Sequence, residues 1–377
     1  MKIAYFVHDY NRHAGHSRYV AELASRFKLD HEVHVFANTW EEKDPGGITF
    51  HKVPAIASRE LLKVLSFVIP ATLMAPKGFD IIHSQGLCGL RHDLTTAHFI
   101  QPVWLRELKI RGKKPSVMST IWRLLVCPLE KYALGQKCSR RVITISKGVT
   151  EDLAREYSID KNVDLIYHGV ELDKFHPAGK CSHRKIVRDS LGISELDFVA
   201  LYVGNLQKGA CAAIRAISLI PDAKLVLVSG SDNGNEKELC RQLGIVDRVI
   251  WVPKSKEVEK IFSASDCFVF PTVYEPFGMV ISEAMACGLP VVTSKAAGAA
   301  DLIKDGDTGL LVEDSWDSRS IARHLYWLMK NPEARFAMGE RARGAIEPYT
   351  WDKCAKETMA CYLRILDERA ALKPGKS

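Results

Sequence analysis

The sequence predicts an α/β protein built from two Rossmann-like domains whose parallel sheets face each other across a cleft. Three observations predict it. The chain has 377 residues, 47% of them hydrophobic, which is more than one core accommodates. Each half opens on a short apolar strand that runs through a loop into a helix, first over 2–27 and again over 198–218. Between 267 and 294 the pattern is strand, loop, helix, strand, and a crossover of that kind joins parallel strands. Gly169 and Pro177, followed by the polar tail 178–183, mark the boundary. The expected domains are therefore 1–172, joined by a last helix from about 351 to 377 that crosses back onto it, and 173–350.

Composition narrows the class. A net charge of +7 favours anionic partners. Ten cysteines without a C-x-x-C pair argue against a zinc knuckle and for a reducing compartment. The chain opens directly on a strand, with no charged leader and apolar run, so a cytoplasmic protein is expected. The run 61–75 contains Lys63 and Pro70 and reads as a helix packed on a sheet, not a membrane span.

In the first half, the strand 2–8 leads through Asp9–His16 to the helix 17–27, and 33–37 is the next strand. The loop lacks G-x-G-x-x-G, which disfavours a dehydrogenase. Gly15 permits close backbone approach at a helix start, and Arg12, His13, His16 and Arg18 read as a basic entrance, although each taken singly is an ordinary solvated side chain. Strands follow at 80–84 and 94–98, the second ending on His98. Residues 101–141 are the most basic part, with Arg106, Lys109, Arg111, Lys113, Lys114, Arg123, Lys131, Lys137, Arg140 and Arg141 around Trp104, Trp122 and 124–126. Such a stretch fits an anionic membrane surface, a phosphorylated glycan or simply a solvated helix face. No RNA-binding motif accompanies it, and no nucleic-acid partner is expected. Strand 141–146, helix 147–157 and strand 163–167 complete the half.

The second half restarts with strand 198–203, the loop Gly204-Asn205-Leu206-Gln207-Lys208-Gly209 and helix 210–218; strands follow at 224–229 and 249–252. The stretch 267–294 carries the chemistry. Pro271 ends its first strand, and a loop bears Glu275, Pro276, Phe277 and Gly278. The helix 279–287 stops at Gly288, and 289–293 is the next strand. Helical side chains lean toward the N-terminus, so Glu283 should point back to the loop that holds Glu275. The free amides around Phe277–Met279 face the same space. Two carboxylates and bare N–H groups suit a ligand that is part sugar and part phosphate. Asp305-Gly306-Asp307 has the spacing of a metal-diphosphate motif, but before 308–312 it reads as a glycine turn into a strand, and no catalytic metal is expected. Helices at 318–329, 332–345 and 351–369 end the chain, with a frayed tail at 370–377.

The segment EPFGMVISEAMACGLPVV resembles the donor-sugar motif of the retaining GT-B glycosyltransferases of family 4. The resemblance extends over nearly the whole chain, strongest over 268–312 and weak over 1–130. It implies a GT-B fold and transfer of a hexose from a nucleotide diphosphate sugar. Under it, Glu275 and the following amides (Pro276, Phe277, Gly278, Met279) hold the hexose, and Glu283 holds the ribose. Lys208 neutralises the diphosphate. Asn205 stands where the family usually has Arg, which leaves Lys254 or Lys256 as further cations, with the base near 251–254. Gly15, in Ala14-Gly15, takes the place of the family's Gly-Gly, and His98 is the imidazole that contacts the sugar. The implied catalytic set is Glu275, His98 and Lys208, with no cofactor beyond the co-substrate. The leaving phosphate would itself take the acceptor's proton in a front-face displacement. The pattern with its basic Trp-containing stretch looks like lipopolysaccharide-core glucosyltransferases, which implies UDP-glucose as donor, a glycan or glycolipid acceptor, and work at the inner face of the plasma membrane. A GT-B nucleotide-sugar 2-epimerase and a non-catalytic glycan- or membrane-binding relative remain open alternatives.

Overall fold

A computed structural model describes residues 1–12, 15–41, 46–56, 60–75, 77–110, 117–177, 179–255 and 257–372. The chain forms two compact units, Met1–Gly169 with Trp351–Ser377 and Val170–Thr350. The boundaries expected from sequence are 172/173, three residues later than the first division, and 350/351.

The first unit begins with β1 (Lys2–Phe6), the two-residue strand β2 (Asp9–Tyr10), α1 (Gly15–Phe27), β3 (Glu32–Ala37) and β4 (Thr39–Trp40), which pairs with β2. It continues with β5 (Ile48–Lys52), α2 (Glu60–Leu73), β6 (Ile81–Gln85), β7 (Leu94–Ala97), α3 (Gln101–Ile110) and α4 (Val117–Ile121). A single π turn, Trp122–Val126, runs into α5 (Cys127–Leu134), and β8 (Arg141–Thr144), α6 (Lys147–Tyr157) and β9 (Val163–Leu165) follow. The sheet order is β5-β3-β1-β6-β7-β8-β9, all parallel. Both faces of β1 are covered, and Ile3, Ala4, Tyr5 and Phe6 are all buried, which is why it reads as a continuous apolar run. The chain's last helix belongs to this unit. Its Tyr362 hydroxyl is 2.9 Å from that of Tyr5 and 2.7 Å from His83 Nδ1, so three buried polar groups satisfy one another.

The second unit contains α7 (Gly179–Ser190), β10 (Phe198–Val203), α8 (Ala210–Ser218), β11 (Ala223–Ser229), α9 (Gly234–Gln242), β12 (Val249–Pro253) and α10 (Val258–Ala264). Next come β13 (Cys267–Phe270), α11 (Met279–Ala286), β14 (Val291–Ser294), β15 (Leu310–Val312), α12 (Ser318–Lys330) and α13 (Pro332–Ile346), before α14 (Trp351–Ala371) returns to the first unit. The parallel order is β12-β11-β10-β13-β14-β15. In each unit the order reverses beside the first strand, at β1/β6 and at β10/β13. Ligands of such sheets bind outside the carboxyl ends of the strands at that reversal.

Some expectations are corrected. The segment read as a polar tail at 178–183 enters helix α7. Its anchor is not an apolar face but Arg188, fully buried, which donates to Asp266 Oδ2 (2.9 Å) and to the carbonyls of Ala264, Ser194 and Asp197 (2.9, 2.6 and 3.0 Å). Strand 289–293 starts later, at Val291, because Gly288 (φ +67°) makes the turn out of α11. Strand 163–167 stops at Leu165. Asp305 and Asp307 are held in a turn. Gly306 has φ +76°, Asp305 Oδ1 accepts from Leu311 N (2.8 Å), and Asp307 pairs with Arg341 (2.6 Å) and Lys304 (3.2 Å).

Candidate active site

At the reversal in the second unit, two loops meet because Gly209 allows it. Gly209 has φ +106°, and a Cβ there would stand 2.1 Å from the carbonyl oxygen of Pro271. No other residue lets the loop after β10 touch the loop after β13. Asn205 shapes the first loop: its side-chain oxygen accepts from Gln207 N (2.9 Å), and its carbonyl accepts from the Tyr202 hydroxyl (2.7 Å) and Lys208 N (3.0 Å). The short 3-10 turn Leu206–Lys208 that results delivers Lys208 to Glu275, with Nζ 2.5 Å from Oε2. Glu275 is fixed from its own backbone, since its N–H donates to Ala296 O (3.2 Å) and its carbonyl accepts from Gly298 N (2.8 Å).

Gly278 then takes φ +94°, with Glu275 Cγ and Ile281 Cδ1 only 3.1 and 3.2 Å from where its Cβ would be. Helix α11 starts after it, and the first bond of its turn runs from Ile281 N to Gly278 O. The amides of Met279 and Val280 therefore have no partner within the helix. Met279 falls within the 277–279 expected from sequence, and Val280 lies one residue beyond it. Phe277 and Gly278 are buried, and Pro276 and Met279 half-buried. Glu283 is only 5% exposed, which excludes an ordinary solvated surface charge. Lys254 is exposed, its stem 3.5 Å from the Cβ position of Gly230, and Lys237 Nζ sits 5.8 Å over the ring of Trp251. Lys256 lies outside the described residues.

The first unit arranges its reversal differently. His98 Nε2 is 2.8 Å from Gln85 Oε1, which joins the ends of β6 and β7. Its ring lies 5.2 Å from Tyr19, 5.7 Å from His168 and 5.9 Å from His16. Burial and the neighbouring imidazoles hold His98 well below the usual histidine range, and burial lowers His16. Burial takes His83 and His168 down to about 3. At neutral pH the cluster is uncharged. Gly15 is exposed at the first position of α1. The basic entrance is corrected accordingly. Arg12 turns back to Ser25 (3.0 Å) and Glu22 (3.6 Å), Lys63 pairs with Asp9, and His16 is neutral. His13 and Ala14 lie outside the described residues.

In the basic stretch, Arg106 pairs with Glu156 and Arg141 with Asp164 (2.7 Å). Arg123, Leu124, Leu125, Lys131, Lys137 and Arg140 remain exposed, and Leu124 is 65% exposed. Arg111, Lys113 and Lys114 lie outside the described residues. Sequence reasoning did not connect His168, Tyr19 and Gln85 with His98. They come from four separate segments, and no spacing joins them.

Two Rossmann-like units in one chain, each a parallel sheet that reverses beside its first strand, have the GT-B fold of glycosyltransferases. Residues 13–174 match Glycosyltransferase Family 4, residues 183–345 match Glycosyl transferases group 1, and the chain belongs to this family. It is 32% identical over 244 residues to an uncharacterized glycosyltransferase of Methanocaldococcus jannaschii, a match spanning 62% of each chain. It is 30% identical over 380 residues to the D-inositol 3-phosphate glycosyltransferase of Segniliparus rotundus, spanning 91% of this chain and 81% of that one. Among solved structures it resembles WaaG, a glycosyltransferase involved in lipopolysaccharide biosynthesis, with a TM-score of 0.80 at 20% identity, covering 96% of this chain and 99% of that one. It also resembles Anabaena HepE in complex with UDP-glucose, with a TM-score of 0.71 at 18% identity, covering 99% of this chain and 100% of that one.

Proposed function

We propose that the protein transfers a hexose, glucose from UDP-glucose, to a glycan or glycolipid acceptor of the cell envelope with retention of anomeric configuration. The observation that carries this reading is the Lys208–Glu275 pair at the start of α11. It sets a cation for the diphosphate and an oxygen acceptor for sugar hydroxyls side by side, with the unpartnered amides of the helix start next to them. The UDP-glucose complex of HepE and the lipopolysaccharide role of WaaG support the choice of donor and of acceptor class.

In this reading Lys208 and the amides after Gly278 stabilise charge on the leaving diphosphate, Glu275 orients the hexose, Glu283 holds the ribose, and Lys254 lies toward the nucleotide. Asn205 and Gly15 shape the loops against which the phosphates lie. His98, held neutral, meets the sugar as a hydrogen-bonding imidazole, and the leaving phosphate accepts the acceptor's proton. No metal takes part, so EDTA leaves turnover unchanged. The exposed Leu124 and Leu125 among Arg123, Lys131 and Lys137 serve an anionic membrane surface. Among the described residues no helix is long and apolar enough to cross a membrane, and peripheral docking at the cytoplasmic face is the proposed location.

A panel of UDP-, GDP- and ADP-hexoses, scored for binding and for turnover with and without envelope glycolipid, tests the reading. UDP-glucose turnover that requires acceptor supports it. Conversion of the donor at C2 without acceptor would mean an epimerase, and no binding of any nucleotide sugar would end the reading.

A further inference from the structure

We infer that Glu275 competes with the diphosphate for Lys208, so that the nucleotide enters and leaves by exchange of Lys208 between two anionic partners. The inference rests on the donor site proposed above. In the structure Lys208 is already committed, with its ammonium 2.5 Å from Glu275 and side-chain exposures of 30% and 16%. A half-buried pair is screened less than a surface pair and is harder to separate.

Neither backbone can shift to relieve it. Lys208 ends a turn wedged by Gly209 against Pro271, and Glu275 is bonded to Ala296 and Gly298. The exchange must therefore run through the torsions of the lysine side chain. Asn205 adds a neutral amide at this loop and no charge.

A diphosphate arriving alone must take Lys208 from Glu275 and leave that carboxylate without its cation. An intact nucleotide sugar does not impose this cost, because the hexose hydroxyls donate to Glu275 as the phosphates take Lys208. Once the hexose has been transferred, Glu275 has lost its hydroxyl donors and recaptures Lys208, which loosens the nucleoside diphosphate. Glu275 thereby sets the preference for donor over product and hastens product release.

Calorimetric titration with UDP and with inorganic diphosphate tests this on the full chain. Glu275→Gln should bind both about three- to tenfold more tightly than the parent, and Glu275→Asp, which withdraws the carboxylate by one methylene, should also tighten them. Lys208→Met should weaken both ligands, and in that background Glu275→Gln should have no further effect. Unchanged affinity in Glu275→Gln, or equal tightening with and without Lys208, would overturn the exchange, the latter because it means simple charge repulsion. If Lys208→Met binds UDP as the parent does, the donor site itself is misplaced, which is a different failure.

Discussion

At the carboxyl end of β6 the first unit sets His98 on Gln85, and at the carboxyl end of β13 the second sets Glu275 on Lys208. The sheets behind these pairs reverse at equivalent places. The first pair is neutral and lies in a nest of imidazole and phenol rings; the second is a lysine–carboxylate ion pair and lies beside a glycine-opened helix start. One strand plan thus supports two chemistries, and the difference lies in what the loops are made from. The second unit fixes its loops by the backbone contact at Gly209 and the tight left-handed turn at Gly278, which leaves side chains free to carry charge. The first surrounds its pair with buried rings, which exclude charge.

The largest expected effect breaks the second half of that comparison from below. Arg188→Ala removes the fully buried partner of Asp266, which keeps Arg184 at 2.9 Å, and strips the buried carbonyls of Ala264, Ser194 and Asp197 of their donor, a defect of about 3–5 kcal/mol. The second unit should then lose hydrogen-exchange protection while β1 and β6 keep theirs. Equal loss in both units would show that the units do not unfold separately. Next, Lys208→Met should lower kcat/KM by about 10²–10³-fold while the melting temperature falls by no more than about 2–4 °C, the cost of leaving Glu275 unpaired. Retained activity would remove the charged pair from the chemistry.

The first half is sharpened by acid. All four buried histidines among the described residues, His34, His83, His92 and His168, are in the first unit. Burial lowers His83 and His168 from the ordinary value to about 3. The unfolded chain then binds protons that the folded chain refuses. Stability is therefore full above about pH 6.5 and is lost as pH falls toward 3, by up to about 2 kcal/mol per histidine at pH 5. Hydrogen exchange at pH 5 should open the first unit before the second. The reverse order would mean that these imidazoles are hydrated.

How much of this was legible in the sequence follows the same division. Strands β10 and β13 run from an aspartate to a glycine or proline, helices α6 and α8 begin and end at glycine or serine, and those signals are local. Glu275, Gly278 and Glu283 sit in one short segment whose spacing shows the turn and the helix. Helix α7 was hard to read because it is polar and its anchor is an arginine whose partners lie in other segments, and α9 is at least as polar. Edge strand β5 (ITFHK) is half-exposed and short. The Lys208–Glu275 pair joins positions 67 apart, and the His98 cluster joins Gln85, Tyr19 and His168 from separate elements. Contacts of that kind depend on sheet order, which no local spacing encodes.

The smallest expected effect separates the two jobs of Asn205. Its side-chain oxygen caps the turn that presents Lys208, while the residue adds no charge to the anion site. Asn205→Asp keeps an oxygen in the same place, so the cap and the melting temperature should be preserved. Its negative charge beside Lys208 should raise the KM for donor about three- to tenfold with little change in kcat, the pattern of a lost ground-state contact. Asn205→Ala removes the cap without adding charge. It should cost about 1 kcal/mol of stability and change KM less than the aspartate does. If alanine raises KM as much as aspartate, the loop's shape and not its charge limits donor binding, and the contrast between a charged second site and a neutral first one would then rest on Lys208 and Glu275 alone.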